Sequence, residues 1–160
     1  ESYDGTSWTE VNNCLDGRKS LGGSFGTQTA GIKAGGTPPI TSEAESWDGT
    51  SWTQSANTLA LGRIESALSG TSTDAVIAGG STGDPAPPTA PTATAESWDG
   101  TSWTSVASMG AAAEEVGSSS SGGSTSALNF GGWPSAAAVT ATEEWLVPAT
   151  TYGVKTFTSS

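Results

Sequence analysis

The nonapeptide ESWDGTSWT occupies residues 45–53 and again residues 96–104, and ESYDGTSWT opens the chain at residues 1–9. A shortened relative, TEEW, ends at Trp145. The last tryptophans of the three full copies, Trp8, Trp52 and Trp103, lie 44 and 51 residues apart, which is the spacing of a supersecondary unit. The chain is therefore predicted to consist of tandem repeats of one structural unit.

A pair of glycines recurs 27 or 28 residues after Trp8, Trp52 and Trp103, and each pair follows a short apolar segment. The pairs are Gly35-Gly36, Gly79-Gly80 and Gly131-Gly132. An aliphatic residue stands three positions before each pair, as Ile32, Val76 or Leu128. Because a buried strand needs an apolar side chain at a fixed position, these segments are predicted to be core strands.

Each unit is predicted to contain four strands. The first follows Lys19, Arg63 or Glu114, and the second ends at the double glycine. The third carries Glu-Ser-aromatic and the fourth carries Ser-Trp-Thr, joined by Asp-Gly-Thr-Ser, a strong hairpin signal because glycine accepts a positive φ without strain. A loop of four residues sets the two aromatic side chains of each hairpin opposite each other. The pairs are Trp47 with Trp52 and Trp98 with Trp103.

Residues that every unit repeats are predicted to form its structural core. They are Trp8, Trp47, Trp52, Trp98, Trp103 and Trp145, together with Ile32, Val76, Leu128 and the three glycine pairs. The predicted boundaries are a hairpin at residues 1–10, repeats at 11–54, 55–105 and 106–148, and a C-terminal closing strand at 149–160.

The composition favours short strands and excludes two classes of partner. The chain has seven Trp and 22 Gly in 160 residues but one Met, which suits an all-β fold rather than long helices. Its net charge of −11, with no cluster of basic residues, excludes nucleic acid as a partner. No apolar run is long enough for a membrane span, so no membrane insertion is expected. The acidic excess fits an extracellular or virion setting in salty water.

Groups for acid–base or nucleophilic chemistry are scarce. The chain has no His, and Cys14 is its only cysteine, so neither a disulfide within the chain nor a Cys–His pair can form. SWDGTSW is one residue shorter than the sialidase Asp-box, and its aspartate is predicted to accept hydrogen bonds within the turn. Glu114-Glu115 and Glu143-Glu144 are adjacent, so their side chains point to opposite faces of a strand. We expect no catalytic residue and no cofactor.

Calcium is the alternative left open among metals, because carboxylates and loop carbonyls are hard oxygen ligands. The residues that would supply carboxylates are Glu45, Asp48, Glu96 and Asp99. Their spacing resembles no known calcium loop, so we expect a solvated surface and no metal site.

Two features occur in one unit alone and are candidates for binding. Trp133 follows its glycine pair where Thr37 and Ser81 stand in the other units, so it is a possible partner-binding residue. Residues 81–95 form a proline-rich insertion that cannot complete a strand ladder and is predicted to be an exposed loop. Residues 118–125, rich in Ser and Gly, are predicted to be a second loop.

The order of these landmarks resembles the kelch repeat, in which a strand ends in Gly-Gly and an aromatic residue and a Trp follow on a hairpin. The family's basic residue before the first strand is matched by Lys19 and Arg63 but replaced by Glu114, and the last repeat lacks the Gly-Thr-Ser-Trp half. The resemblance implies kelch-like β-propeller blades: three four-stranded repeats plus an N-terminal hairpin. Such propellers close at about five to seven blades, so a longer chain or oligomerisation would complete the ring.

The ESW and DGTSW signatures also resemble kelch-like repeats in structural proteins of bacteriophages and some bacteria. That likeness implies a non-enzymatic virion protein, such as a fibre, tail appendage or capsid decoration. Its loops would contact a host glycan, another structural protein or copies of itself. The alternatives are a bacterial extracellular filament or surface-layer adhesin and, third, a fragment of a glycan-processing enzyme.

Overall fold

The computed structural model describes residues 1–83, 90–119, 122–134 and 140–146. Thirteen strands and no helix occur within these residues, and the strands form antiparallel sheets. The all-β prediction is confirmed. The predicted closing strand at 149–160 lies outside the described residues, and so does the middle of the loop predicted at 81–95.

The strands form one hairpin and three sheets, each a meander in chain order. The N-terminal hairpin pairs β1 (Ser2–Tyr3) with β2 (Trp8–Thr9). The first sheet contains β3 (Gly23–Thr27), β4 (Ala30–Ala34), β5 (Ala44–Trp47) and β6 (Trp52–Gln54). The second sheet contains β7 (Ala67–Thr71), β8 (Asp74–Ala78), β9 (Ala95–Trp98) and β10 (Trp103–Val106). The third sheet contains β11 (Gly117–Ser118), β12 (Ser126–Phe130) and β13 (Thr142–Leu146).

The third sheet differs from the predicted four-stranded unit, because its described part has three strands. The position of a fourth strand follows Leu146 and lies outside the described residues. Ser118, predicted to begin a loop, instead pairs with Asn129 as part of β11.

The aromatic pairs set the register of the hairpins as the loop length predicts. Trp47 lies opposite Trp52 with ring centroids 5.5 Å apart, and Trp98 lies opposite Trp103 at 5.1 Å. Such tilted aromatic pairs contribute about 0.5–1.5 kcal/mol beyond the burial of their surface. In the N-terminal hairpin Tyr3 lies opposite Trp8 with ring centroids 5.1 Å apart, so this hairpin has the pairing of β5 with β6.

The main core lies between the first and second sheets. Ala34 and Ala44 of the first sheet pack with Ile77 of the second. Beside them, Ile32 packs with Ala75 and Trp98. These side chains come from one face of the first sheet and the opposite face of the second, because neighbouring residues along a strand alternate between faces. The two sheets therefore stack face to face.

Main-chain hydrogen bonds join successive sheets beside this core. Gly36 N–H donates to Arg63 O at 3.0 Å, and Gly80 N–H donates to Ala113 O at 2.8 Å. The preceding glycines, Gly35 and Gly79, both have φ of +68°, a conformation that favours glycine. The double glycine therefore ends a strand and links it to the next sheet.

The residues of the predicted core differ in how far they are buried. Ile32, Val76 and Trp98 are buried, and Trp47, Trp52, Trp103 and Trp145 are half-buried. The sequence predicts that Trp8 and Leu128 are buried as well, but 66% of Trp8 and 39% of Leu128 are exposed. Trp8 stands on an isolated hairpin, and the face of the third sheet that carries Leu128 has no described sheet packed on it.

Candidate binding site

The aspartates of the DGTS loops hold their own turns. Asp48 Oδ1 accepts hydrogen bonds from Thr50 N–H at 2.8 Å and Ser51 N–H at 2.7 Å, and Asp4 and Asp99 accept the equivalent bonds. These donors lower the pKa of all three carboxyl groups from its ordinary value. The structure therefore places these aspartates in a structural turn, as the sequence predicts.

The first tryptophan of each hairpin anchors the turn between the first two strands of its sheet. Trp47 Nε1–H donates to Gln28 O at 2.8 Å, Trp98 Nε1–H to Ser72 O at 2.9 Å, and Trp145 Nε1–H to Ser124 O at 3.1 Å. The same indole contact in three sheets marks these residues as structural, because a half-buried indole N–H needs an acceptor.

A glutamate in the third strand of each sheet accepts a hydrogen bond from a backbone N–H of the segment that precedes that sheet. Glu45 Oε2 accepts from Leu15 N–H at 2.9 Å, and Glu96 Oε2 accepts from Ala60 N–H at 2.8 Å. Both glutamates are almost completely buried. A buried carboxylate needs a partner for its charge as well as hydrogen bonds.

In the first sheet that partner comes from a strand, and in the second sheet it comes from the segment before the first strand. Lys33 Nζ of β4 lies 2.8 Å from Glu45 Oε1, and Arg63, which precedes β7, donates to Glu96 Oε1 at 2.8 Å. Burial lowers the pKa of the Arg63 guanidinium, and the charge of Glu96 opposes that effect. Neither ion pair is apparent from sequence spacing, although a lysine within the apolar strand AGIKAGG signals that a buried acid lies nearby.

Backbone contacts correct the predicted alignment of the basic residues. Arg63 Nη1 donates to the carbonyls of Gly79 and Thr94, and Arg18 Nη1 contacts the equivalent carbonyls in the first sheet. Arg18, rather than Lys19, is therefore the counterpart of Arg63. In the third sheet the counterpart of Arg63 is Ala113 rather than Glu114. Ala113 O accepts a hydrogen bond from Gly80 N–H, just as Arg63 O accepts one from Gly36 N–H.

The third sheet thus keeps the glutamate but lacks the arginine. Glu143 Oε2 accepts a hydrogen bond from Gly110 N–H at 2.6 Å, as Glu96 does from Ala60. A cavity of about 130 Å³ opens beside Ala113, and Glu143 and the equivalents of Gly79 and Thr94 also line it. Those equivalents are Gly131 and Ala141, which share the same backbone hydrogen bond as Gly79 and Thr94.

Apolar side chains are exposed on the outer face of the third sheet. Leu128, Phe130 and Leu146 alternate with inward residues along β12 and β13 and are 39%, 46% and 54% exposed. Trp133, the predicted partner-binding residue, is also exposed, while its backbone exchanges hydrogen bonds with that of Glu114. In the first sheet the equivalent face is covered by the second sheet.

A groove of about 970 Å³ lies at the other end of the array, between the N-terminal segment and the first sheet. Trp47 and Trp52 line it with Lys33, and all three belong to the face of the sheet turned toward residues 1–15. Half-buried aromatic rings beside polar groups can stack on a sugar, so this groove is a second candidate surface.

Within the described ranges, no three His, Cys, Asp or Glu side chains lie close enough together to hold a metal ion. The four carboxylates considered for calcium have other partners: Glu45 and Glu96 are in ion pairs, and Asp48 and Asp99 accept hydrogen bonds from their own turns. Cys14 lies exposed in a loop. In the described part of the chain, no helix has the length and hydrophobicity to cross a membrane.

Comparison with known protein families and with characterised proteins found no match to this chain.

Proposed function

We propose that the chain is part of a kelch-like β-propeller that acts by binding other proteins and carries out no catalysis. The observation that carries this proposal is the contrast between its polar and apolar side chains. The repeated aspartates, tryptophans and glutamates make equivalent structural contacts in successive sheets. The apolar side chains of the third sheet, by contrast, face solvent.

The stacking of the sheets supports propeller architecture. The first and second sheets meet through opposite faces, and the glycine links between them recur between the second and third. An array whose units use one interface repeatedly can be extended by further units at either end. Further blades, from a longer parent chain or from another copy, would cover Leu128, Phe130 and Leu146.

A virion component is the biological role that we propose, in a fibre, tail appendage or capsid decoration. Three properties support it: near-identical repeats, a net charge of −11 and a structure in which loops project from stacked sheets. Its partners would be other structural proteins or copies of itself, and the groove with Trp47 and Trp52 would be the place to receive a host glycan.

Imaging separates the virion from the alternatives. Antibody against the chain is expected to label purified virions in electron microscopy, whereas label on cell-surface filaments would favour the bacterial adhesin. Labelling of neither particle would contradict an assembly role. A glycan array with wild type and a Trp52→Ala variant tests the groove, and silence across the array would leave protein contacts as the function.

The exposed face of the third sheet has a direct test. Leu128→Asp and Phe130→Asp are expected to abolish self-association or partner binding, because a charge cannot be buried against an apolar blade. Thr58→Asp is the control, since Thr58 is exposed in the segment before the second sheet and lies outside this face. Mass photometry measures the outcome, and association unchanged in both aspartate variants would exclude this face.

A further inference from the structure

The second sheet shows what the cavity of the third sheet is shaped to hold. Arg63 is completely buried there, and its guanidinium donates to Gly79 O at 3.1 Å, Thr94 O at 2.8 Å and Glu96 Oε1 at 2.8 Å. It also donates to Leu61 O at 3.4 Å and Thr94 Oγ1 at 3.0 Å, so three carbonyls, one hydroxyl and one carboxylate surround the planar cation. A guanidinium suits this arrangement because its five N–H donors point in fixed directions within one plane.

The third sheet keeps the backbone carbonyls and the carboxylate but lacks the hydroxyl, because Ala141 replaces Thr94, and it lacks the arginine. Gly131 N–H donates to Ala141 O at 2.8 Å, which repeats the bond from Gly79 to Thr94 and sets the two carbonyls in the same backbone arrangement. Glu143 replaces Glu96 at the same register of the ladder. A cavity of about 130 Å³ with mainly apolar walls lies where Ala113 takes the place of the arginine, and Gly131, Ala141 and Glu143 are among the residues that line it.

Apart from Asn129, whose amide lies 3.5 Å from Met109 Sδ, the rest of the lining is hydrocarbon. Met109, Ala112, Val116 and Pro134 form the walls around the acceptors. Such walls suit an alkyl chain, just as the stem of a buried arginine lies against apolar side chains while its head makes polar contacts. A compact inorganic cation would leave these walls without contacts.

We propose that this cavity binds an alkylguanidinium group, with its head at Glu143 and the carbonyls of Gly131 and Ala141 and its stem along the apolar walls. The group is either the arginine side chain of a partner protein or a small molecule with the same chemistry. The net charge of −11 favours the approach of such a cation. The site thus takes from outside the group that Arg63 supplies from within the chain.

Calorimetric titration of the chain with n-butylguanidinium tests the proposal, with n-butylammonium as the matched ligand control. Wild type is expected to bind n-butylguanidinium saturably and n-butylammonium more weakly. Ala113→Arg is expected to abolish binding by filling the cavity, and Glu143→Gln to weaken it about tenfold by removing the charged acceptor. Glu144→Gln is the variant control, because Glu144 lies on the opposite face of β13 and binding should stay within about twofold.

Absence of saturable binding to wild type, below the concentration at which guanidinium compounds unfold the chain, would overturn the proposal. So would equal binding by Glu143→Gln, a result that does not depend on whether Ala113→Arg folds. In a reciprocal test, Arg63→Ala is expected to open an equivalent cavity in the second sheet, so n-butylguanidinium should raise the melting temperature of this variant more than that of wild type, and n-butylammonium should not.

The source of the group is assigned by comparing agmatine with the peptide Gly-Arg-Gly. Tighter binding of the peptide assigns the site to a partner's arginine, and tighter binding of agmatine assigns it to a small molecule. Failure of both ligands contradicts the proposed chemistry. These titrations require neither a virion nor a second chain, so their result is separate from that of the imaging experiment.

Discussion

Arg63 donates a hydrogen bond of 2.8 Å to Glu96, and both side chains are withdrawn from solvent between the first and second sheets. Taking two charges out of water is unfavourable, and their attraction offsets this only while both are present. The pair therefore makes each partner dependent on the other.

A single substitution in this pair is expected to destabilise the chain more than a double one. Arg63→Met leaves the Glu96 charge buried without a cation and should lower the free energy of unfolding by about 3–5 kcal/mol. Adding Glu96→Met removes the stranded charge, so part of the loss should be recovered. Urea unfolding measures both variants, and a double variant less stable than Arg63→Met would contradict this coupling.

Trp98 is buried and Trp8 is exposed, so replacing each of them with Ala should change stability by different amounts. Trp98→Ala removes a side chain that is 4% exposed and leaves Ser72 O without its donor, so we expect a loss of about 3–5 kcal/mol. Trp8→Ala should change stability by about 1 kcal/mol or less, because Trp8 is largely exposed. Equal losses in thermal unfolding would mean that Trp8 is buried in solution.

Close approach of the first two sheets makes Gly23 sensitive to a single methyl group. A Cβ at Gly23 would overlap Cδ1 and Cγ of Leu68, so Gly23→Ala should destabilise by about 1–3 kcal/mol. Shortening the neighbour in Gly23→Ala/Leu68→Ala should relieve the clash in a double-mutant cycle. Gly17→Ala is the control, because a Cβ there meets nothing within 4 Å. Similar losses at the two glycines would exclude the steric explanation.

The turn aspartates are expected to make the stability of the chain depend on pH in the acid range. Backbone donors lower the pKa of Asp48 and Asp99 in the folded chain, so the stability they contribute is present above the unfolded pKa. It is lost as the pH falls below about 4 and through the folded pKa. Asp48→Asn/Asp99→Asn should therefore lose less stability than wild type over that range. Urea midpoints measured against pH test this, and parallel curves for the two proteins would refute it.

Much of the fold is predictable because the repeats carry local signals. The four-residue DGTS loop places Trp47 opposite Trp52, and glycine pairs mark where strands end, since both effects act within a few residues. The alignment of Lys19 with Arg63 fails because counting from the tryptophans assumes connecting segments of equal length. The segment before Arg63 is one residue longer than the one before Arg18, and an insertion in a loop leaves no periodic signal.

The candidate site is less predictable because it arises where one sheet lacks a side chain that the equivalent position of another sheet has. Ala113 is an ordinary residue in the sequence, and its meaning appears only when contacts identify Arg63 as its counterpart. The exposure of Leu128 is equally hidden, because an aliphatic residue at a core position of one sheet reads the same whether or not another sheet covers it.

The backbone bonds from Gly36 to Arg63 and from Gly80 to Ala113 have a consequence for how such a chain evolves. Their atoms are those of the peptide group, so they persist when the side chain at the acceptor residue changes. A duplicated copy can then lose an internal side chain while its neighbours keep their spacing. Gene duplication followed by truncation at one position thus offers a simple origin for a new pocket in an otherwise uniform array.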